Sequence, residues 1–159
     1  MDELLRLLKT NARASAADLA AMLNLSEEAV RERIADYEKD GTIRGYQAIV
    51  NDDRLDLDRV QAVIEVKITP EREGGFDRIA SRIGKFPEVE SLFLMSGTYD
   101  LLVFLHGRTL RDIAAFVSEK LATIEGVVST STHFMLKTYK TNGVLMDKEP
   151  TDERLKVTP

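Results

Sequence analysis

The sequence predicts an α+β protein made of two small domains. Helical periodicity dominates residues 2–40, whereas residues 60–140 alternate between strand-like and helix-like patterns. The chain has 159 residues, of which 43% are hydrophobic and 31% charged, and this composition is typical of a soluble globular protein. We expect a first domain over 1–50, a linker over 51–59, a second domain over 60–146 and a charged tail over 147–159.

Three short helices are predicted in the first domain. Four leucines between residues 4 and 8 give the first helix an apolar stripe, and that helix is expected to end around Thr10. Ser15 with Asp18 has the pattern of a capping box, which opens the second helix. Ser26 is a good N-cap for the third, which continues to about Asp40 and stops at Gly41. Two helices joined by a turn of about four residues predict a helix-turn-helix.

The third helix has two different sides. Val30, Ile34 and Tyr37 fall on one stripe that faces the other helices, and Arg31 falls on the opposite, outward side. In a helix-turn-helix that outward side enters the major groove of DNA, where a guanidinium suits both base edges and phosphates. Any one of these residues has an alternative role as part of a solvated charged surface. The candidate DNA-binding residues are Ser26, Glu27, Glu28, Arg31, Arg33, Thr42 and Arg44.

Residues 42–50 have β-forming side chains on both sides of Gly45 and predict a two-stranded wing after the third helix. Thr42 and Arg44 would contact phosphate from this wing, whereas Tyr46 is expected in the core. Together the helices and the wing predict a winged helix-turn-helix.

The acidic charge limits how such a domain can bind DNA. The net charge is −5, and residues 1–50 carry seven basic and nine acidic side chains, which give −2. Phosphate neutralisation supplies most nonspecific affinity, so one copy is expected to bind weakly. Strong binding would need two linked copies.

The second domain is predicted to follow the order β-α-β-β-α-β, the ferredoxin-like arrangement. The predicted strands are residues 60–68, 89–96, 100–106 and 127–140, and the predicted helices are 76–84 and 109–124. The two middle strands are apolar on both sides, although two helices cover only one face of a four-stranded sheet. We therefore expect a second copy to cover the other face, the alternative being the linker or the tail.

A loop between the two middle strands is the candidate effector site. Gly97 lets a backbone N–H approach a ligand closely, and Asp100 offers a carboxylate to an ammonium group. Hydroxyls on the last strand could bind a carboxylate. The alternative is a plain β-turn in which Asp100 accepts from local amides. The candidate effector-binding residues are Gly97, Thr98, Tyr99, Asp100, Thr130, Ser131 and Thr132.

The sequence resembles the leucine-responsive regulatory protein/AsnC family, also called feast/famine regulators, from about Leu4 to Lys140. The resemblance implies a sequence-specific transcription regulator rather than an enzyme, with a ferredoxin-like, ACT-like effector domain. It also implies double-stranded DNA as a partner, homodimers that assemble into octamers, and an amino acid bound between dimers. One departure is Thr98, which stands where the family's effector loop usually has an aspartate. The resembling motifs are residues 11–15 with 18–20, Leu25-Ser26 with Val30, Arg33 and Ile34, residues 41–46, and residues 97–102 with Thr130 and Thr132.

Composition excludes several other classes. There are no cysteines, and the two histidines, His106 and His133, lie far apart, so we expect no metal and no cofactor. No apolar run approaches membrane length and no signal peptide is visible, so a cytoplasmic location is expected. Two rival functions remain: an effector-binding or oligomerisation partner of another regulator that does not itself bind DNA, and an enzyme similar to siroheme decarboxylases, which would need more histidines.

Overall fold

The structure is a computed structural model, and it describes residues 2–55, 59–69 and 75–147. The chain divides into two compact units, Met1–Val50 and Asn51–Pro159, called here the first and second unit. Of the predicted linker, residues 56–58 lie outside the described residues, as does the predicted tail from residue 148 onward. None of the helices described is long and apolar enough to cross a membrane.

The first unit contains three helices: α1 (Glu3–Thr10), α2 (Ala16–Leu23) and α3 (Glu27–Lys39). The predicted caps of α2 and α3 are present, because Ser15 accepts from the backbone N–H of Asp18 and Ser26 from that of Ala29. The Asp18 carboxylate accepts from the Ser15 hydroxyl itself at 2.6 Å. Gly41 follows α3 with φ +80°, a conformation that glycine adopts without strain.

The core of the first unit lies between the three helices. Its side chains are Leu4, Leu8, Leu19, Ala20 and Val30, with Ile34 and Tyr37 partly buried beside them. The predicted inward stripe of α3 is therefore confirmed.

The predicted wing is not formed. Residues 43–50 contain no strand, and residues 44–50 are all exposed. A two-stranded hairpin is stable only when a hydrophobic face of it is packed, and Ile49 and Val50 have no such packing here. The expectation that Tyr46 is a core residue is also wrong, because it is 51% exposed and its hydroxyl donates to Glu38 at 2.8 Å.

The second unit is built on a four-stranded antiparallel sheet with the strand order β2-β3-β1-β4. Two helices follow their strands in the predicted order, so the β-α-β-β-α-β prediction is confirmed. The second helix continues as a π-helical segment, Phe116–Leu121. The elements are β1 (Val60–Ile68), α4 (Asp77–Ile83), β2 (Val89–Leu94), β3 (Leu101–Gly107), α5 (Leu110–Ala115) and β4 (Val127–Phe134).

Alternate residues of the central strands form the main core. On β1 and β3 every second side chain is buried against the helices, as the alternation in the sequence predicts. The buried strand residues are Ala62, Ile64, Val66, Ile68, Leu101, Val103 and Leu105, and those of the helical segments are Ile79, Ile83, Ile113, Phe116 and Leu121.

The last strand is shorter than predicted. It ends at Phe134, opposite Ala62, and the N–H of Met135 makes a final bond to the carbonyl of Gln61. This point is one residue from the start of β1, and no further pairing of the two strands is found among the described residues. Instead, a small hairpin follows, made of β5 (Lys140–Thr141) and β6 (Val144–Leu145). Asn142 and Gly143 form its turn with φ of +47° and +86°.

The segment that follows the first unit is bonded to the second. Asp52–Arg54 form one turn of 3₁₀ helix, capped by the side chain of Asn51. The Asn51 amide also donates to the carbonyl of Met146 at 2.8 Å, and Gln61 donates to Asp52 at 3.3 Å. Residues 51–55 of the predicted linker thus make contacts within the second unit, while the boundaries of the domains stay predictions.

Candidate functional sites

The outward side of α3 is exposed along its length. Glu28, Arg31, Glu32 and Ala35 are not part of the core, whereas Val30, on the opposite side, is fully buried. The N-cap and the core contacts hold the inward side of α3 in place, so the outward side chains project from a rigid helix. The arrangement has the chemistry of a reading surface, with one guanidinium between two carboxylates.

Arg31 is held in place by its own helix. Its guanidinium donates to the carboxylate of Glu27, one turn earlier. Both side chains are about half exposed or more, and exposed ion pairs of this kind contribute little to stability. A phosphate or a base edge can therefore replace Glu27 as the partner of Arg31 at low cost.

Arg33 has a different role from that of Arg31. Its guanidinium lies 3.2 Å from the carboxylate of Asp2, which also accepts from the hydroxyl of Tyr37 at 2.5 Å. The Tyr37 hydrogen bond is the largest cause that lowers the pKa of Asp2, and the same bond raises the pKa of Tyr37. The structure thus places Arg33 in a network that joins α3 to the start of α1.

Two other predicted DNA-binding residues, Ser26 and Thr42, have local hydrogen-bond partners, and a third, Arg44, lies beside Gly41. The Ser26 hydroxyl is occupied by the cap of α3. The N–H of Thr42 donates to Asp40 at 2.8 Å, and this bond is the first cause that lowers the pKa of Asp40. Arg44 is exposed and lies over Gly41, where an added Cβ would be 3.1 Å from the guanidinium. A larger residue at 41 would therefore displace the Arg44 side chain.

The loop between β2 and β3 is hydrogen-bonded to the C-terminal end of β1. Asp100 accepts from the N–H of Ile68 at 2.9 Å, as in the plain-turn alternative. Lys67 donates to the carbonyl of Thr98 at 3.2 Å and lies 4.0 Å from the Asp100 carboxylate. Lys67 is not among the predicted site residues. The signal for it is its place at the end of β1, which antiparallel pairing brings to the start of β3.

The three hydroxyl residues of β4 are divided between the two faces of the sheet. Thr130 and Thr132 pair with the buried residues Val66 and Ile64, whereas Ser131 pairs with Glu65. Since neighbouring residues of a strand point to opposite faces, Ser131 lies away from the other two. Its hydroxyl is 3.3 Å from His133, and it therefore belongs to a different surface from Thr130 and Thr132.

The face of the sheet opposite the helices is apolar at its β2–β3 side. Here Phe93 meets Phe104 edge to face, with ring centroids 5.9 Å apart, and Leu102 lies in register with Phe93. Phe93 is 51% exposed. On the β4 side the same face is polar, with His133 located 3.6 Å from Glu65. We call the apolar half, made of Val63, Phe93, Leu102 and Phe104, the open face.

Among the described residues, no group of three or more histidine, cysteine, aspartate or glutamate side chains could hold a metal ion.

Two family models match the chain. The AsnC-type helix-turn-helix domain matches residues 3–38, and the Lrp/AsnC ligand binding domain matches residues 61–145. The matched ranges cover α1 to α3 in the first unit, and β1 through β6 in the second.

Known proteins are similar over nearly the whole chain. The uncharacterized HTH-type transcriptional regulator YugG of Bacillus subtilis is 43% identical over 99% of this chain and 95% of its own length. A transcriptional regulator of Neisseria meningitidis, solved as a complex with L-methionine, has 27% identity and a TM-score of 0.68, and covers 89% of this chain and 93% of its own. An AsnC family transcriptional regulator from Agrobacterium tumefaciens has 27% identity and a TM-score of 0.68, over 91% of this chain and 96% of its own.

Proposed function

Because the chain belongs to the Lrp/AsnC family of transcription regulators, we propose that it binds DNA as a dimer through the outward side of α3, under the control of an amino acid. The observation that carries the proposal is the exposure of Arg31 on a helix whose other side is fixed in the core. The family consists of transcription regulators, and the absence of any catalytic activity stays a prediction.

The geometry of α3 supports DNA reading in one particular way. Arg31 lies in the first half of the helix, where recognition helices contact base edges, and its only bond among the described residues is to Glu27. Glu28 lies in the first turn of the same helix, and its carboxylate can accept from a cytosine amino group. Arg33 supports binding indirectly, because its bond to Asp2 helps to hold α3.

The open face supports the proposed dimer. Phe93 and Phe104 form an aromatic pair on a sheet face that none of the described helices covers, and burial of such a face by a second copy is the simplest solution. A dimer would also supply two copies of α3, which an acidic first unit with a charge of −2 requires for strong binding.

An amino-acid effector is supported by the relative that was solved with L-methionine. The loop at residues 96–100 and the neighbouring end of β1 offer the carboxylate of Asp100 and the ammonium of Lys67. A ligand with both charges could replace the contact between these two groups, with its ammonium on Asp100 and its carboxylate on Lys67. Such a ligand is a free amino acid.

The test is selection of bound fragments from random duplex DNA, followed by titration of the enriched sequence by fluorescence anisotropy. Arg31→Ala should weaken binding roughly tenfold or more, since a good base contact is worth about 1–3 kcal/mol. Arg6→Ala is the matched control, because Arg6 is likewise exposed and paired with a glutamate of its own helix, at 3.3 Å. Failure to enrich any sequence would favour a partner protein that does not bind DNA.

The same titration tests the effector. Addition of each L-amino acid in turn should change the affinity for the selected duplex with at least one of them. Light scattering of the same samples reports whether that amino acid also changes the assembly.

A further inference from the structure

A cleft of about 550 Å³ lies at the end of the sheet away from the loop at residues 96–100. β3 leaves that loop at Leu101 and reaches the cleft at its other end, so the two places are separated by the length of the strand. The cleft is open to solvent and wide enough to admit a small molecule. The cleft is lined by Arg59, Pro87, Glu88, His106, Gly107, Arg108 and Asp112.

Two polar atoms of the lining residues lack a partner. Oε2 of Glu88 and Nδ1 of His106 are shielded from solvent, and neither makes a hydrogen bond to any described residue. An unsatisfied buried polar atom costs about 1–3 kcal/mol, and a charged one more. Such atoms call for a partner, which can be an ordered water, an ion or a bound ligand.

The acidic groups around the cleft already have partners. Lys120 pairs with the other carboxylate oxygen of Glu88, and this bond is the largest cause that lowers the pKa of Glu88. The carboxylate of Asp112 accepts from the N–H groups of Arg108 and Thr109, at 3.0 and 2.9 Å. Both acids are thus stabilised by the protein itself.

Arg108 is less committed than the acids, whereas Arg59 already pairs with two carboxylates. Arg108 is exposed, and its guanidinium has no partner among the described residues. Arg59 lies 3.2 Å from Glu90 and 3.7 Å from Asp52, with less than a third of its side chain exposed. A carboxylate placed between these guanidiniums would be bound through charge-assisted hydrogen bonds.

We propose that the cleft binds a small carboxylate that carries an adjacent hydroxyl or ammonium group. The carboxylate lies between Arg108 and Arg59, and the neighbouring donor faces Glu88, whose free oxygen can only accept. His106 contributes its unpaired ring nitrogen beside them. α-Amino acids and α-hydroxy acids both have this pair of groups, and the site goes beyond the proposed function because it is remote from the loop at residues 96–100.

The ion pair between Arg59 and Asp52 would couple ligand binding in the cleft to the segment that follows the first unit. Arg59 and Asp52 join β1 to the segment that directly follows the first unit. A ligand carboxylate competes with Asp52 for the Arg59 guanidinium, so occupancy of the cleft would loosen residues 51–55. This step links the ligand to the segment of chain that connects the two units.

The test is isothermal titration calorimetry on the full chain with the twenty L-amino acids, lactate, malate, propionate and inorganic phosphate. At least one α-amino or α-hydroxy acid should bind, and Arg108→Gln should weaken it roughly tenfold or more. Arg111→Gln is the matched control, because Arg111 is exposed on α5 but does not line the cleft. Circular dichroism of each variant checks that the fold is retained.

Three results would overturn the inference. The first is that none of the amino or hydroxy acids binds. The second is that propionate or phosphate binds as tightly as the amino and hydroxy acids, because neither has the neighbouring hydroxyl or ammonium group that Glu88 is proposed to accept from. The third is that Arg108→Gln leaves the affinity unchanged while Asp100→Asn abolishes it, which would place the ligand at the loop of the proposed function. Loss with Arg108→Gln alone supports the cleft even if no amino acid alters DNA binding.

Discussion

The hydroxyl of Tyr37 donates to the carboxylate of Asp2 across 2.5 Å, which joins the third helix of the first unit to the residue that caps the first. The same carboxylate group accepts from the N–H of Leu4 at 2.8 Å and lies 3.2 Å from Arg33. One acidic side chain therefore caps α1 and fixes α3. This bond helps to hold in place the helix that carries Arg31.

Replacing Asp2 should loosen the first unit and weaken DNA binding together. Asp2→Asn keeps an acceptor for the cap but loses the charge that holds Arg33, and the melting temperature of the first unit should fall by a few degrees. Differential scanning calorimetry of the full chain gives the melting temperature, and anisotropy gives the DNA affinity. Asp18→Asn, in the cap of α2, is the control, and an equal loss of DNA affinity there would argue against a special role for Asp2.

The stability of the first unit should fall at acid pH because of the same residue. The pKa of Asp2 lies below its ordinary value of 3.8, mainly because Tyr37 donates to it. The Asp2 carboxylate stabilises the folded first unit above pH 3.8, the pKa of an unperturbed aspartate. As the pH falls below 3.8, the unfolded chain takes up a proton before the folded chain does, so this stabilisation is lost by the time the pH has fallen through the lower pKa of the folded state. Urea unfolding followed by circular dichroism at successive pH values should show this loss in the wild type and a weaker dependence in Asp2→Asn. Identical pH profiles would contradict the assignment.

A charge on the open face should separate the subunits without unfolding them. Phe93→Asp places a carboxylate beside Phe104, and its burial against a second copy would cost several kcal/mol. The monomer should keep its circular dichroism spectrum, because Phe93 is 51% exposed in the single chain. Leu110→Asp is the control, since Leu110 is 58% exposed at the start of α5, on the helical side of the sheet. Light scattering should give a monomer for the first variant and a dimer for the second.

Gly126 should tolerate no side chain. It has φ +92°, and an added Cβ would lie only 2.6 Å from Cδ1 of Ile79 in the core. Gly126→Ala should therefore destabilise the second unit by about 1–3 kcal/mol through strain and overpacking. Gly143→Ala measures the strain alone, because Gly143 has φ +86° but open space around it.

A second comparison isolates the steric part of this cost. Ile79→Val removes Cδ1, so Gly126→Ala should be less harmful when it is combined with Ile79→Val than when it is introduced into the wild type. Chemical denaturation of the wild type, the two single variants and the double variant gives the coupling free energy. A value near zero would show that the contact with Ile79 is not the cause.

The helices and the central sheet could be predicted because local signals and burial agree there. Ser15 and Ser26 cap their helices as the sequence indicates, and the alternation from Ala62 to Ile68 gives the buried face of β1. In both cases the side chain that carries the signal also makes the contact. The hairpin at residues 140–145 is absent from the prediction although Asn142-Gly143 is a strong turn signal, because its strands have only two residues each.

The wing and the candidate sites depend on partners that a single sequence does not identify. β-forming residues around Gly45 favour strands, but a strand needs a neighbour, and residues 43–50 have none in the described part of the chain. From the sequence, the carboxylate of Asp100 could be assigned either to a ligand or to a local amide. Only the antiparallel pairing of β1 with β3 brings the N–H of Ile68 to it.

The hydrogen bond between the Asn51 amide and the carbonyl of Met146 brings the entrance and the last described turn of the second unit side by side. A label attached at residue 147, the last described residue, would therefore lie close to Asn51, where the second unit begins. Labels for structural or single-molecule work are better placed at the exposed hairpin turn, Asn142-Gly143, or on the surface of α2. Attachment there leaves the hydrogen bond between Asn51 and Met146 undisturbed.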